Sequence, residues 1–178
     1  MIPFLELVYL FLPGYFANGS PPFWAKIFPR WNTPVDFEKS WNGKRLLGDN
    51  KTVRGVVMGT LLGGVVFIIQ KYVLVSVIAT PSLPYVSLPW WYGLLFSLGV
   101  IFVGDCGKSL VKRRLGIAPG KSWLLFDQLD YTLGAFLLSF WLFWPGWAGF
   151  LILLLFNAAL SLSFHVIGYL LHLNKDVL

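Results

Sequence analysis

Residues 55–79 read GVVMGTLLGGVVFIIQKYVLVSVIA, a run in which Lys71 is the only charged side chain. A helix rises 1.5 Å per residue, so about 20 apolar residues cover the roughly 30 Å hydrocarbon core of a bilayer. This run is long enough to cross, and it lacks the polar and apolar alternation of a barrel strand. Four further apolar runs flank it, at 2–17, 90–103, about 122–144 and 147–173. The 178 residues are 57% hydrophobic and 12% charged, and the mean hydropathy is +0.70. That balance excludes an ordinary soluble domain. The expectation is an all-α integral membrane protein of about five transmembrane helices, forming a single domain over residues 1–178. Runs 2–17 and 90–103 are short for a full crossing. The second can continue as helix to Arg114, and the first, with Pro3 and Pro13, suits a tilted or kinked segment. The first run begins without Lys or Arg, so it lacks the positive start of a secretory signal and is expected to be retained.

Orientation follows from the 14 Lys and Arg residues, because positive side chains in short loops stay cytoplasmic. Lys26, Arg30, Lys39, Lys44, Arg45, Lys51 and Arg54 lie between the first two runs. Lys108, Lys112, Arg113, Arg114 and Lys121 lie between the third and fourth, and Lys175 follows the fifth. With five spans these segments share one side. The N-terminus is therefore expected outside, the C-terminus in the cytoplasm, and the cytoplasmic loops at about 18–54 and 104–121. Trp90, Trp91, Tyr92, Trp141, Trp144 and Trp147 would form an outer aromatic belt, with Trp24, Trp41 and Trp123 near the inner interface. The net charge of +6 is distributed between spans, which argues for anionic headgroups or phosphorylated ligands and against nucleic acid. Cys106 is the single cysteine, which excludes an intramolecular disulfide and a CxxC-type zinc or redox site.

Residues 104–114 read GDCGKSLVKRR. Continued as helix, they set Asp105, Lys108, Ser109 and Lys112 at i, i+3, i+4 and i+7, a polar stripe on one face. The GKS string is not a P-loop, since Phe102 occupies the position of its first glycine and a helix precedes it. Further on, Asp127 and Asp130 stand three residues apart among Leu and Phe. Two carboxylates there repel and are costly unless paired, so a divalent cation between them or salt bridges to Lys112 and Arg113 would resolve the strain. Magnesium takes one or two carboxylates plus phosphate oxygens and water, which suits an acidic pair beside clustered Lys and Arg. Residues 42–55, NGKRLLGDNKTVRG, offer Lys44, Lys51, Thr52 and Arg54 beside a helix start, either an anion site or an ordinary basic juxtamembrane loop. Asn157, Ser161, His165, Gly168 and His172 share one arc of the last run, a stripe expected to pack helices. Gly55, Gly59 and Gly63 repeat every fourth residue, as a close helix contact requires. Glu6 could pair inside the bundle or face the interface.

Taken together, Ser109-Leu-Val followed by Lys112 and Arg113, then Asp127-Gln-Leu and Asp130, resembles the signature of the CTP:phosphatidate cytidylyltransferase family. Small size, the KRRLG and DQLD strings and the GDNKTVRG loop are most similar to its CDP-archaeol synthase branch. Larger members carry a Lys-Asp pair and a His-Gly-Gly segment between the two halves; here Lys121 is followed by Ser122. The resemblance implies Mg²⁺-dependent transfer of CMP from CTP to an isoprenoid ether-lipid phosphate, 2,3-bis-O-(geranylgeranyl)-sn-glycerol 1-phosphate, at the cytoplasmic side of the cell membrane, with no obligatory protein partner. It implies Asp127, Asp130 and Lys112 as catalytic, with Asp127 and Asp130 on the metal and Asp105 at a second ion. Lys44, Lys51, Arg54, Lys108, Ser109, Arg113 and Lys121 are the expected substrate-binding residues. The alternatives are the same chemistry on diacyl phosphatidate, or a non-enzymatic anion or lipid-phosphate transporter.

Overall fold

The computed structural model describes residues 2–73, 82–117, 123 and 126–170. Helix α1 (Phe4–Gly19) runs into a short α2 (Pro21–Ile27). A small hairpin follows, β1 (Ser40–Trp41) and β2 (Lys44–Arg45), and then α3 (Val53–Tyr72). The next helix is continuous over Tyr92–Arg114 in three parts: α4 (Tyr92–Leu98), a π-helical segment (Gly99–Cys106) and α5 (Gly107–Arg114). Helices α6 (Phe126–Ser139) and α7 (Gly146–Leu170) complete the bundle.

By length and composition, three of these helices can cross a membrane: Val53–Tyr72, Tyr92–Arg114 and Gly146–Phe164. Helices α1 and α6 have 16 and 14 residues, about 24 and 21 Å at 1.5 Å per residue. The first run thus folds as helix two residues displaced from its expected bounds, and the third continues to Arg114 as its composition suggested. The fourth departs from expectation, ending at Ser139 instead of near Trp144. Its cause is local. Pro145 disfavours helical geometry at the residue before it, and Trp144 folds back so that its ring lies 5.6 Å from Phe136 and 5.0 Å from Phe150.

Pro13 and several polar residues inside the bundle find specific partners. Pro13 has no N–H for the carbonyl of Tyr9 one turn earlier. That carbonyl instead accepts a 2.6 Å hydrogen bond from Nε2 of Gln70 on α3, a side chain with no solvent exposure. Glu6 is buried and accepts from the Ser82 N–H at 3.1 Å, which settles its position inside the bundle. Asn157 is fully buried, donating to Thr132 Oγ1 at 2.9 Å and accepting from the Tyr15 hydroxyl at 2.5 Å. These interhelical bonds match the packing expected of that stripe; Ser161 faces a cavity with Tyr15 and Tyr131, and His172 lies outside the described residues.

Close approach depends on glycine. A methyl group at Gly63 would lie 2.0 Å from Ser97 Oγ and 2.7 Å from the Pro13 carbonyl, so α3 sits against both α1 and α4. One at Gly134 would lie 2.3 Å from the Gly99 carbonyl and 2.4 Å from Gly104 N, which brings α6 into backbone contact with the π-helical segment. Lipid tails are as apolar as the side chains, so such van der Waals packing, more than burial from water, holds the helices together. An aromatic core fills the centre: Phe11 stands 5.1 Å from Phe96 and 5.9 Å from Tyr131. At one end Trp91 and Trp141 lie 5.9 Å apart, as an aromatic belt would.

Candidate functional site

The Gly134 contact sets the start of α6 beside α5, and the acidic residues of one helix meet the basic residues of the other. Lys108 Nζ lies 2.7 Å from Asp130 Oδ2, 3.4 Å from Asp127 Oδ1 and 3.7 Å from Asp105 Oδ1. One ammonium therefore faces three carboxylates. Lys112 Nζ reaches both oxygens of Asp127 at 3.2 Å, and Lys51, arriving from the first loop, holds both oxygens of Asp105 at 2.6 Å. The expected stripe is thus real for Asp105, Lys108 and Lys112. The partners of Asp127 and Asp130 include Lys112, as the salt-bridge alternative had it, and Lys108, which it did not name.

Each acid is fixed by its helix. Asp127 sits in the first turn of α6, where a carboxylate is favoured by the exposed N–H groups. Its Oδ2 also accepts from the Trp123 N–H, four residues back, at 2.7 Å. Asp130 lies one turn deeper. Its side chain is 8% exposed, and its Oδ1 is buried with no hydrogen-bond partner among the described residues. An acceptor oxygen in that condition costs about 1–3 kcal/mol, so it favours any added cation or donor. No group of three or more His, Cys, Asp or Glu among the described residues is gathered tightly enough to hold a metal unaided.

The remaining expected site residues are distributed differently. Ser109 is buried, its hydroxyl donating to the Asp105 carbonyl at 2.9 Å. Arg54 is buried and donates to the Phe28 carbonyl at 2.5 Å, joining α3 to the end of α2. Thr52 caps α3, accepting from Gly55 N at 3.2 Å. Lys44 is exposed in β2, and Arg113 forms no ion pair with the aspartates among the described residues. Lys121 lies outside the described residues.

The first loop is built on one carboxylate. Asp36, with a side chain 1% exposed, accepts from Arg45 Nη2 at 2.8 Å and Nε at 3.2 Å. It also accepts from the N–H groups of Leu47, Gly48 and Glu38 at 2.9, 3.1 and 3.1 Å. Burial pushes this carboxyl up, but Arg45 and the three backbone donors outweigh it and hold it well below the usual carboxylate range. The hairpin turns at Asn42 and Gly43, both with positive φ, 50° and 72°, the conformation of a two-residue type I′ turn. Arg114, at the end of α5, donates to the carbonyls of Trp41, Lys44 and Arg45 at 2.8, 3.1 and 3.0 Å. Neither Asp36 nor Arg114 stands out as a site residue in the sequence.

Beside Lys108 and Asp130 opens an apolar groove of about 230 Å³ between the π-helical segment, α5 and α6, lined by Val103, Val111, Trp123, Phe126, Leu133 and Leu137. A larger cavity, about 640 Å³, lies on the other side of α6 among Tyr15, Asn18, Tyr131, Leu160, Ser161 and Phe164.

A family model described as CarS-like CDP-archaeol synthase matches residues 1–178. The chain belongs to the CDP-archaeol synthase family. It is 38% identical over 177 residues to the CDP-archaeol synthase of Methanopyrus kandleri, covering 94% of this chain and 90% of that one. Identity to the Pyrococcus furiosus CDP-archaeol synthase is 38% over 136 residues, covering 76% and 74%, and to the Methanocaldococcus jannaschii CDP-archaeol synthase 37% over 178 residues, covering 98% and 96%. A solved structure described as an intramembrane enzyme for archaeal membrane lipids biosynthesis is similar with a TM-score of 0.67 and 29% identity, covering 94% of this chain and 95% of its own.

Proposed function

We infer that the protein is a membrane-embedded cytidylyltransferase that forms CDP-archaeol from CTP and 2,3-bis-O-(geranylgeranyl)-sn-glycerol 1-phosphate. Family membership over the whole chain carries this reading. An oxygen of the lipid phosphate attacks the α-phosphorus of CTP, the bond from that phosphorus to the bridging oxygen of the β-phosphate breaks, and pyrophosphate leaves with the bond's electrons. A phosphate monoester is largely anionic near neutral pH, with a second pKa of about 6, so no side chain has to remove a proton. What the reaction demands is alignment and neutralisation of two polyanions.

The charged network supports that role. Asp127 and Asp130 would hold a magnesium ion, and the orphaned Oδ1 of Asp130 is the observation that favours one; Asp105 would serve a second. The ion supplies charge neutralisation at the α-phosphate oxygens. Lys108 and Lys112 bind the triphosphate and steady departing pyrophosphate, joined by Arg113 and Lys121. Lys44 and Lys51 contact the nucleotide or lipid phosphate. Arg54 and Ser109 act at the edge of this set, each holding backbone as well. Isoprenoid chains lie in the apolar groove that opens beside Lys108 and Asp130. All 178 residues act as one catalytic unit with five crossings, N-terminus outside and the charged face in the cytoplasm. The lysine and arginine distribution supports this orientation; Lys71 is the exception at the opposite end, where it donates to the carbonyls of Tyr85, Val86 and Leu88.

The deciding experiment supplies purified protein with labelled CTP, Mg²⁺ and either the isoprenoid ether-lipid phosphate or a diacyl phosphatidate. CDP-lipid and pyrophosphate should appear in equal amounts, faster with the ether lipid. Product with neither acceptor would remove the enzyme reading, and preference for the diacyl lipid would change the substrate.

A further inference from the structure

We propose that Arg114 is a positioning residue that docks the first cytoplasmic loop onto α5 and thereby sets the loop's lysines for the nucleotide. Three observations converge on it. The guanidinium serves three consecutive-strand carbonyls at once, those of Trp41, Lys44 and Arg45, and stands 5.4 Å from the centre of the Trp41 ring. The hairpin it grips is internally rigid, because Asp36 collects Arg45 and three backbone N–H groups within it. A rigid loop held by Arg114 at its hairpin and by Lys51 at its far end is oriented as a whole. The same loop then delivers Lys51 to Asp105, the acid facing Lys108.

Arg114 itself is spent on backbone carbonyls, which are acceptors and leave it in no ion pair among the described residues. It differs in this from Lys112, two residues earlier, which pairs with Asp127. A planar fork with five donors can satisfy three carbonyls spread over a hairpin; an ammonium on a flexible stem cannot. The charge of residue 114 is therefore secondary to its shape. When the fork is lost the loop samples undocked states, and the apparent affinity for a ligand that needs the docked state falls by the docked fraction.

The inference rests on the proposed function for its kinetic half only. Arg114→Lys and Arg114→Ala are compared with wild type in steady-state transfer of CMP and in hydrogen exchange of residues 36–51, both in the full chain in detergent. Both variants should raise the KM for CTP about tenfold with kcat within about threefold, and speed exchange in the hairpin but not in α3 or α7. A lysine that restores wild-type KM and exchange overturns the role of the fork. So does a fall in kcat at unchanged KM, which would make Arg114 a direct participant. Arg114→Lys keeps charge and size, so it decides the matter if the alanine variant does not fold. If wild-type protein transfers no CMP, the proposed function fails, and hairpin exchange alone supports or overturns the docking.

Discussion

Asp130 combines two conditions that rarely coincide: one oxygen paired to Lys108 at 2.7 Å and the other buried without a described partner. Asn at this position keeps the shape and loses the negative charge. Asp130→Asn should therefore leave expression and membrane insertion intact while reducing CMP transfer by about a hundredfold or more, the scale of losing one electrostatic stabiliser. A near-normal rate in the product assay would remove Asp130 from the reaction. Asp36 makes a different prediction. Its folded pKa is depressed below the unfolded value of about 3.9, so its stabilisation is complete above that pH and is lost as pH falls toward the folded value. Hairpin protection should be flat from pH 8 to 5 and decline below about pH 4, when exchange rates are corrected for their intrinsic pH dependence. Asp36→Asn should show weak protection at pH 7 already. Asp127 and Asp130 stand out in the sequence as candidates because two carboxylates among Leu and Phe are costly. Asp36 does not, because a loop acid looks solvated until its backbone donors are folded around it.

At the scale of elements, the contact between α6 and the π-helical segment carries the site. Gly134 allows it: a side chain there meets the backbone of Gly99 and Gly104, which cannot move aside as a flexible side chain would. Gly134→Ala should lower the melting temperature, by an overpacking cost of about 1–3 kcal/mol, and also weaken CTP binding, because α5 and α6 separate where Lys108 meets Asp130. Thermal unfolding in detergent and nucleotide titration check the two halves. The repeat of Gly55, Gly59 and Gly63 was legible as a close contact, and for Gly59 and Gly63 that is what forms. Gly134, a lone glycine in an apolar run, had no pattern to mark it. Nor did the π-helical segment, since its wider turns are made by packing against α6, and no propensity in Val100 to Val103 encodes them.

At the scale of the whole molecule, near-continuous apolar runs made a helical membrane protein legible in the sequence. What composition could not supply was the length actually used: α1 and α6 are shorter than the bilayer core, and α6 ends at Ser139 with Trp144 packed against Phe136. A tag after Leu178, probed in sealed vesicles with a membrane-impermeant reagent, should be labelled only on the cytoplasmic face; labelling from outside would invert the proposed orientation. Chelation should abolish CMP transfer, with Mg²⁺ restoring it, if Asp127 and Asp130 act as proposed.

The convergence of Lys51, Lys108 and Lys112 on Asp105, Asp127 and Asp130 has a thermodynamic consequence. Formal charges in this set of three lysines and three aspartates cancel. Its lysines cannot serve carboxylate and triphosphate fully at the same moment. On the proposed roles, a divalent ion taken up by the aspartates liberates the ammonium groups for phosphate, and phosphate drawing the ammonium groups away exposes the aspartates. Metal and nucleotide should consequently raise each other's affinity by the same factor, as linkage requires. Calorimetric titration of each with and without the other would measure that factor. Equal affinities in both arms would mean that the aspartates and lysines act independently.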